Sequence, residues 1–390
     1  METKTKQTEG STPFCFKNKS KAMRTPILIL ILISSCFKGP VEPIEDQKLE
    51  VLWTKTTSTV DVPNVPPLVI NNSKVVYSGE IELVALDIKN GKESWRATID
   101  GSEALESVVL LYDKKLNRVV SNHFKTFKAW NAETGEPIFT LSDENGILAF
   151  RRGRNTLVND GYGFVGDTLD AYVINANGSI RFKIEVDFGT LGVAYGNLKF
   201  FLAQGKTIHG ALSLGKIRAF DSQTGDSLWI FETDKSGFGN SAPIVENGII
   251  YAGTVGNSPE NTFVALDAET GEVIWEHSNS EILTRSFVVG PKYVYIAAVA
   301  DVFALDKTTG VRVWKFDRES TTLVKPVYLE GYVYHSDHGR LFVIDGETGE
   351  LVHEEPSPGG FFWHVAASSD KIFAQTSRQL IAYQPWHLRN

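Results

Sequence analysis

The tightest grouping of side chains that could do chemistry is His335-Ser336-Asp337-His338. Two imidazoles three residues apart, with a carboxylate between them, have a spacing that can ligate a metal ion. A larger set is spread along the chain: Asp87, Asp221, Asp267, Asp306 and Asp345 each open a turn whose commonest form is Asp-x-x-Thr-Gly. Carboxylates in such numbers could serve as general acids, bases or cation ligands. His353 and the pair Trp363-His364 complete the candidates. No Gly-x-Ser-x-Gly elbow, phosphate-binding loop or dinucleotide fingerprint is present.

The elements that would position these groups come from a repeat. Its glycines are Gly91, Gly135, Gly178, Gly225, Gly271, Gly310 and Gly349, at intervals of 39 to 47 residues. Four residues after each glycine stands Trp95, Phe139, Phe182, Trp229, Trp275, Trp314 and, as the deviant, His353. Short β-rich runs flank each turn, and this period with strand-like flanks predicts a β-propeller of four-stranded antiparallel blades. In the clearest unit, residues 241–278, four strands end on Trp275. Asp267 can brace the turn, Gly271 supplies positive φ, and Trp275 can wedge between blades. Trp53 reads as a fourth strand without predecessors, and Phe362 to Tyr383 as three strands without a fourth. Joined, they complete a ring closed by both chain ends, and the expected count is eight blades, with seven as the alternative.

Set in these elements, the candidate groups lose most of their chemistry. One active site needs no sevenfold copy of an aspartate, so the recurring carboxylates are expected to be structural. His335 to His338 falls in register with the turn between second and third strands, which makes these residues polar turn positions. His353 replaces a blade-interface aromatic and is expected to mark a looser interface. Trp363 and His364 lie in the first strand of the last unit, which lines a propeller's central channel. No acid/base pair can be nominated, and the chain is expected not to be an enzyme, with no metal and no cofactor.

Composition agrees with a partner-binding body. Aromatic content is 11% and the net charge is −8, so nucleic acid is not an expected partner. The one basic cluster, Arg151-Arg152-Gly153-Arg154, is expected to be a solvated loop. Both cysteines, Cys15 and Cys36, precede the repeats, so the body has no disulfide partner. Ile27 to Ile33 is too short to span a bilayer and suits the apolar core of a secretory signal. It leads into Ile33-Ser34-Ser35-Cys36, which resembles a bacterial lipobox with Cys36 as the site of lipid attachment. Residues 1–35 are thus expected to be a signal peptide, with Met23 the expected true start. Residues 36–48 make a flexible tether and 49–390 the propeller.

The run Ala-Leu-Asp-x-x-Thr-Gly-x-x-x-Trp, as in Ala265–Trp275 and Ala304–Trp314, resembles the PQQ-like propeller repeat. Within that family the lipobox, tether, expected blade count and length are similar to the BamB-like outer-membrane assembly lipoproteins. The resemblance implies a lipid-anchored scaffold at the bacterial outer membrane, facing the periplasm. It would bind other envelope proteins through its propeller loops, in a β-barrel assembly complex. Residues 204–214 and 233–240 are the candidate loops. The alternative it implies is a propeller that binds a small ligand, PQQ or a sugar, in its central channel, as a binder or an enzyme.

Overall fold

The computed structural model describes residues 48–389, apart from the segments 58–64, 80, 100–108, 124–125, 143–155, 160–161, 167–169, 186–188, 209–210, 236, 239–241, 256–260, 280–285, 299–300, 319–323 and 338. Cys15, Cys36, the apolar run 27–33, the tether to residue 47 and the cluster 151–154 lie outside the described residues. Among the described residues every regular element is a strand except a three-residue 3-10 turn, Trp386–Leu388. No helix among the described residues is long and apolar enough to cross a membrane.

The expected eight-bladed count is corrected to seven blades of four consecutive strands. They span residues 68–98, 109–142, 156–185, 189–233, 244–279, 286–317 and 327–356, and are numbered here in that order. The remaining sheet is of another kind. Three C-terminal strands, Phe362–Ala367, Ile372–Thr376 and Gln379–Tyr383, take Val51–Thr56 as their outer neighbour. Val51 pairs with Tyr383 and Thr56 with Gln379. Because its fourth strand comes from the far end of the chain, this split sheet has no hairpin into its outer strand, and so no motif turn. It sits between the seventh and first blades. Its inner strand flanks both Val327–Leu329 and Leu68–Ile70, so the ring is closed.

Each pair of neighbouring sheets encloses its own apolar layer. Between the fifth and sixth blades these are Tyr251, Phe263, Trp275, Phe287, Val294 and Phe303. The motif turn locks such layers together. Gly91, Gly135, Gly271, Gly310 and Gly349 have φ between +69° and +77°. A Cβ on any of them would meet the indole of the preceding sheet, at 2.5 to 2.7 Å. The same indoles donate into that turn: Trp275 Nε1 to the Lys307 carbonyl at 3.0 Å, and Trp314 Nε1 to that of Gly346 at 2.9 Å. Trp53, in the split sheet, reaches the Ile88 carbonyl of the first blade at 3.0 Å. Phe139 and Phe182 fill the same seat beside Gly178 and Gly225 without a donor.

The aspartates brace the turns from within. Asp221 Oδ1 accepts from the Gln223 and Thr224 amides, both at 2.8 Å, and Asp267 Oδ1 from those of Glu269 and Thr270, also at 2.8 Å. The Thr224 and Thr270 amides, foremost, hold these two carboxyls below the usual aspartate range. A carboxyl depressed in the folded state stabilises above its unfolded pKa of about 3.9. That contribution is lost as pH falls through the folded value. Asn131 makes the equivalent bonds to the Glu133 and Thr134 amides, at 2.8 and 3.1 Å, without titrating. The double variant Asp221→Asn/Asp267→Asn is therefore expected to fold and to lose less stability than the parent below about pH 4. Unfolding midpoints measured across that range check it, and an unchanged acid slope would contradict it.

Candidate interaction site

The antiparallel order gives the ring two unlike faces. One collects the turns from third to fourth strands, and these are uniform. The other collects the second-to-third hairpins and the connections from each fourth strand to the next blade. Those connections run from 3 residues (186–188) to 13 residues (143–155). Variable loops on a rigid scaffold are where binding surfaces are built.

The fourth blade departs most from its neighbours on this face. Its second and third strands, Lys199–Ile208 and Ala211–Asp221, have 10 and 11 residues, against 5 to 7 in every other sheet. The first strand stops pairing at Gly189–Gly205 and the fourth at Thr233–Gly215. Beyond those points Lys206–Leu214, Thr207–Leu212 and Ile208–Ala211 pair only with each other. The result is a two-stranded ribbon that overshoots its blade. Of residues 204–214, read from sequence as a loop, 204–208 and 211–214 are continued strands. At the ribbon's root, beside the fifth blade, lies a cleft of about 460 Å³. It is lined by Leu214, Gly215, Phe231, Glu232, Thr233, Asp234, Lys235 and Glu276. Residues 234–235 of the other candidate loop, 233–240, form a bend along its rim. Lys216 bridges Glu232 at 3.0 Å, and Lys235 pairs with Glu276.

The histidine motif is elsewhere on the same face, and its expected setting is corrected. His335, Ser336 and Asp337 are not turn residues. They end the strand Tyr332–Asp337 and are buried. His338 lies outside the described residues. Arg318, just past the sixth blade, places Nη1 2.6 Å from His335 Nε2 and Nη2 2.8 Å from the Ala298 carbonyl. A guanidinium has only donors, so Nε2 accepts and its lone pair is taken. Burial, and then the Arg318 charge, push the imidazole well below its ordinary pKa, so it is neutral. The cluster therefore ties the sixth blade to the seventh. Among the described residues no group of three or more His, Cys, Asp or Glu side chains is placed to hold a metal ion.

His353 also has a structural partner that the sequence did not reveal. Its ring stacks on Trp386 at 5.1 Å, and Nε2 lies 3.0 Å from Glu355 Oε2. That oxygen accepts from the Leu49 amide at 2.7 Å. Where the other interfaces use a motif turn, this one uses the C-terminal 3-10 turn and the chain's entry into the ring. Trp363, in the inner strand of the split sheet, meets Phe361 edge-on at 5.6 Å. Lys325 precedes the neighbouring inner strand at the same end of the channel. The residue is exposed, yet the surrounding protein desolvates its ammonium and lowers its pKa.

Comparison with known proteins follows this geometry. The family model described as outer membrane protein assembly factor BamB matches residues 44–199 and 213–361. Two curated relatives are tetrathionate hydrolase of Acidithiobacillus ferrooxidans and quinoprotein glucose dehydrogenase A of Acinetobacter calcoaceticus. The first is 21% identical over 77% of this chain and 54% of its own length. The second is 20% identical over 70% of this chain and 42% of its own length. The chain thus spans about half the length of the curated relatives it matches. Among solved structures, BamB from Moraxella catarrhalis superposes with a TM-score of 0.64 at 13% identity, over 86% of this chain and all of its own. The computationally designed protein Ika8 gives 0.69 at 15% identity, over 87% and 100%. These two share the fold. The expectation that the chain is not an enzyme is corrected by the curated relatives: both are named for reactions, so this fold does not exclude catalysis.

Proposed function

We infer function from one premise: this chain belongs to the family described as outer membrane protein assembly factor BamB. We propose that it is a lipid-anchored envelope scaffold that takes part in outer-membrane β-barrel assembly. Cys36 would carry the lipid, residues 36–48 would be the tether, and the ring would face the periplasm. Its partners would be other envelope proteins, held on the variable face.

One observation carries this reading. The two segments matched by the family, 44–199 and 213–361, take in strands of all seven blades, so the match covers the ring as a whole. The fourth-blade ribbon stands beyond the first and fourth strands of its blade, with the cleft at its root. Eight enclosed apolar layers make the ring a stiff base for such a projection. Capture on the full-length protein from detergent-solubilised envelopes is expected to recover a barrel-assembly protein. Recovery of the protein alone under gentle conditions would contradict the reading.

A further inference from the structure

Among the described residues every sheet ends in an outer strand that pairs with no further strand, an edge that invites another strand. Proteins guard such edges with charges, proline or short length. In this ring the guard stands just after the interface aromatic, at the outward-facing centre of the strand. Read from the split sheet onward, that position holds Thr54, Arg96, Thr140, Lys183, Ile230, Glu276, Lys315 and Glu354. Only the fourth blade places an aliphatic there. Leu228 and Ile230 are 45% and 51% exposed, and Ser227–Thr233 contains no lysine, arginine or proline. The next outward residue is Glu232, which bridges Lys216 at 3.0 Å through Oε1 yet keeps its side chain 65% exposed to a further cation.

We propose that the outer edge of the fourth blade, residues 227–233, is a strand-addition site for an extended segment of a partner protein, carrying two apolar residues and one cation at alternating positions. Directly opposed side chains are the unit of sheet recognition. An antiparallel segment would set its apolar residues against Leu228 and Ile230 and its cation against Glu232. A second copy of this chain fits badly. Self-pairing centred on Ile230 sets Leu228 against Glu232 twice, and centring on Trp229 sets Asp226 against Glu232. The net charge of −8 adds repulsion. This site goes beyond the assembly role and stands or falls without it.

The probe is a fluorescently labelled, blocked peptide, Lys-Thr-Val-Thr-Val-Thr, read by anisotropy against the full chain. Saturable binding is expected. Ile230→Lys should weaken it by about tenfold or more, while Ile274→Lys on the fifth blade should leave it unchanged. Glu232→Lys should reverse the preference toward the peptide with glutamate in place of lysine. Circular dichroism confirms that each variant is folded. Three results would overturn the proposal: no binding by the folded parent, equal binding by Ile230→Lys, or a concentration-dependent dimer that Ile230→Lys abolishes. The last would assign the edge to a second copy.

Discussion

Gly310→Ala is expected to destabilise the ring by about 3 kcal/mol. Two costs add. A methyl at φ +71° leaves an alanine in the left-handed region, at about 1 kcal/mol or slightly more. The same methyl would sit 2.5 Å from Trp275 Cε3 and 2.7 Å from Cδ2. That overlap forces the indole from its seat, at about 1–3 kcal/mol, and strains its bond to the Lys307 carbonyl. Gly331→Ala separates the two costs. Its φ is +89° but nothing lies within 4 Å of an added methyl, so only the backbone cost of about 1 kcal/mol remains. Denaturant midpoints of the two variants check this. Equal losses would show that the indole seat does not bear on stability.

Asp113→Ala is expected to cost about 3–5 kcal/mol, because it strands a buried cation. Arg118 is 1% exposed, with Nε 3.1 Å from Asp113 Oδ2 and Nη1 2.5 Å from the Ala176 carbonyl of the third blade. Its guanidinium also lies 5.5 Å from the Phe139 ring centroid. Burial pulls the Arg118 pKa down, and Asp113 offsets this. Without Asp113 the desolvation cost stands uncompensated. The double variant Asp113→Ala/Arg118→Met removes the charge with its partner and should recover more than about 1 kcal/mol of the loss. Additive losses would show that the two residues act separately.

Much of this architecture is written locally. A glycine at positive φ and an aromatic four residues later report on a hairpin and its neighbour, whatever the rest of the chain does. The ends are legible for the same reason, since Trp53 and the run Leu380–Gln384 keep the register of the repeat. The blade count went astray because counting repeats treats the split sheet as one more unit, whereas it has no motif turn. The burial of His335, Ser336 and Asp337 is not legible in sequence because their partner Arg318 lies 17 residues away, just past the preceding blade. His353 looked like a gap in the pattern because its partners, Trp386, Glu355 and Leu49, come from the ends of the chain.

The candidate sites were less legible. A stretch with three glycines, such as Gln204 to Gly215, reads as a loop, and only cross-strand pairing shows that 206–208 and 211–214 form a ribbon. Ile230 carried a signal that sequence could have yielded, because the residue after each interface aromatic is charged or threonine everywhere else. Its meaning requires knowing that this strand is an edge. Lipid attachment at Cys36 rests on sequence pattern, since Cys36 lies outside the described residues.

In the proposed role the variable face holds an envelope partner through the fourth-blade ribbon. The direct measurement compares capture by the full-length protein with capture by a variant in which residues 206–214 are replaced by Asn-Gly, between the paired Gly205 and Gly215. That dipeptide closes a two-residue hairpin and leaves the blade's remaining pairs in place. The account expects a barrel-assembly protein in the first eluate and its loss from the second, with thermal unfolding of the two proteins nearly the same. Undiminished capture by the folded, ribbonless variant would contradict it.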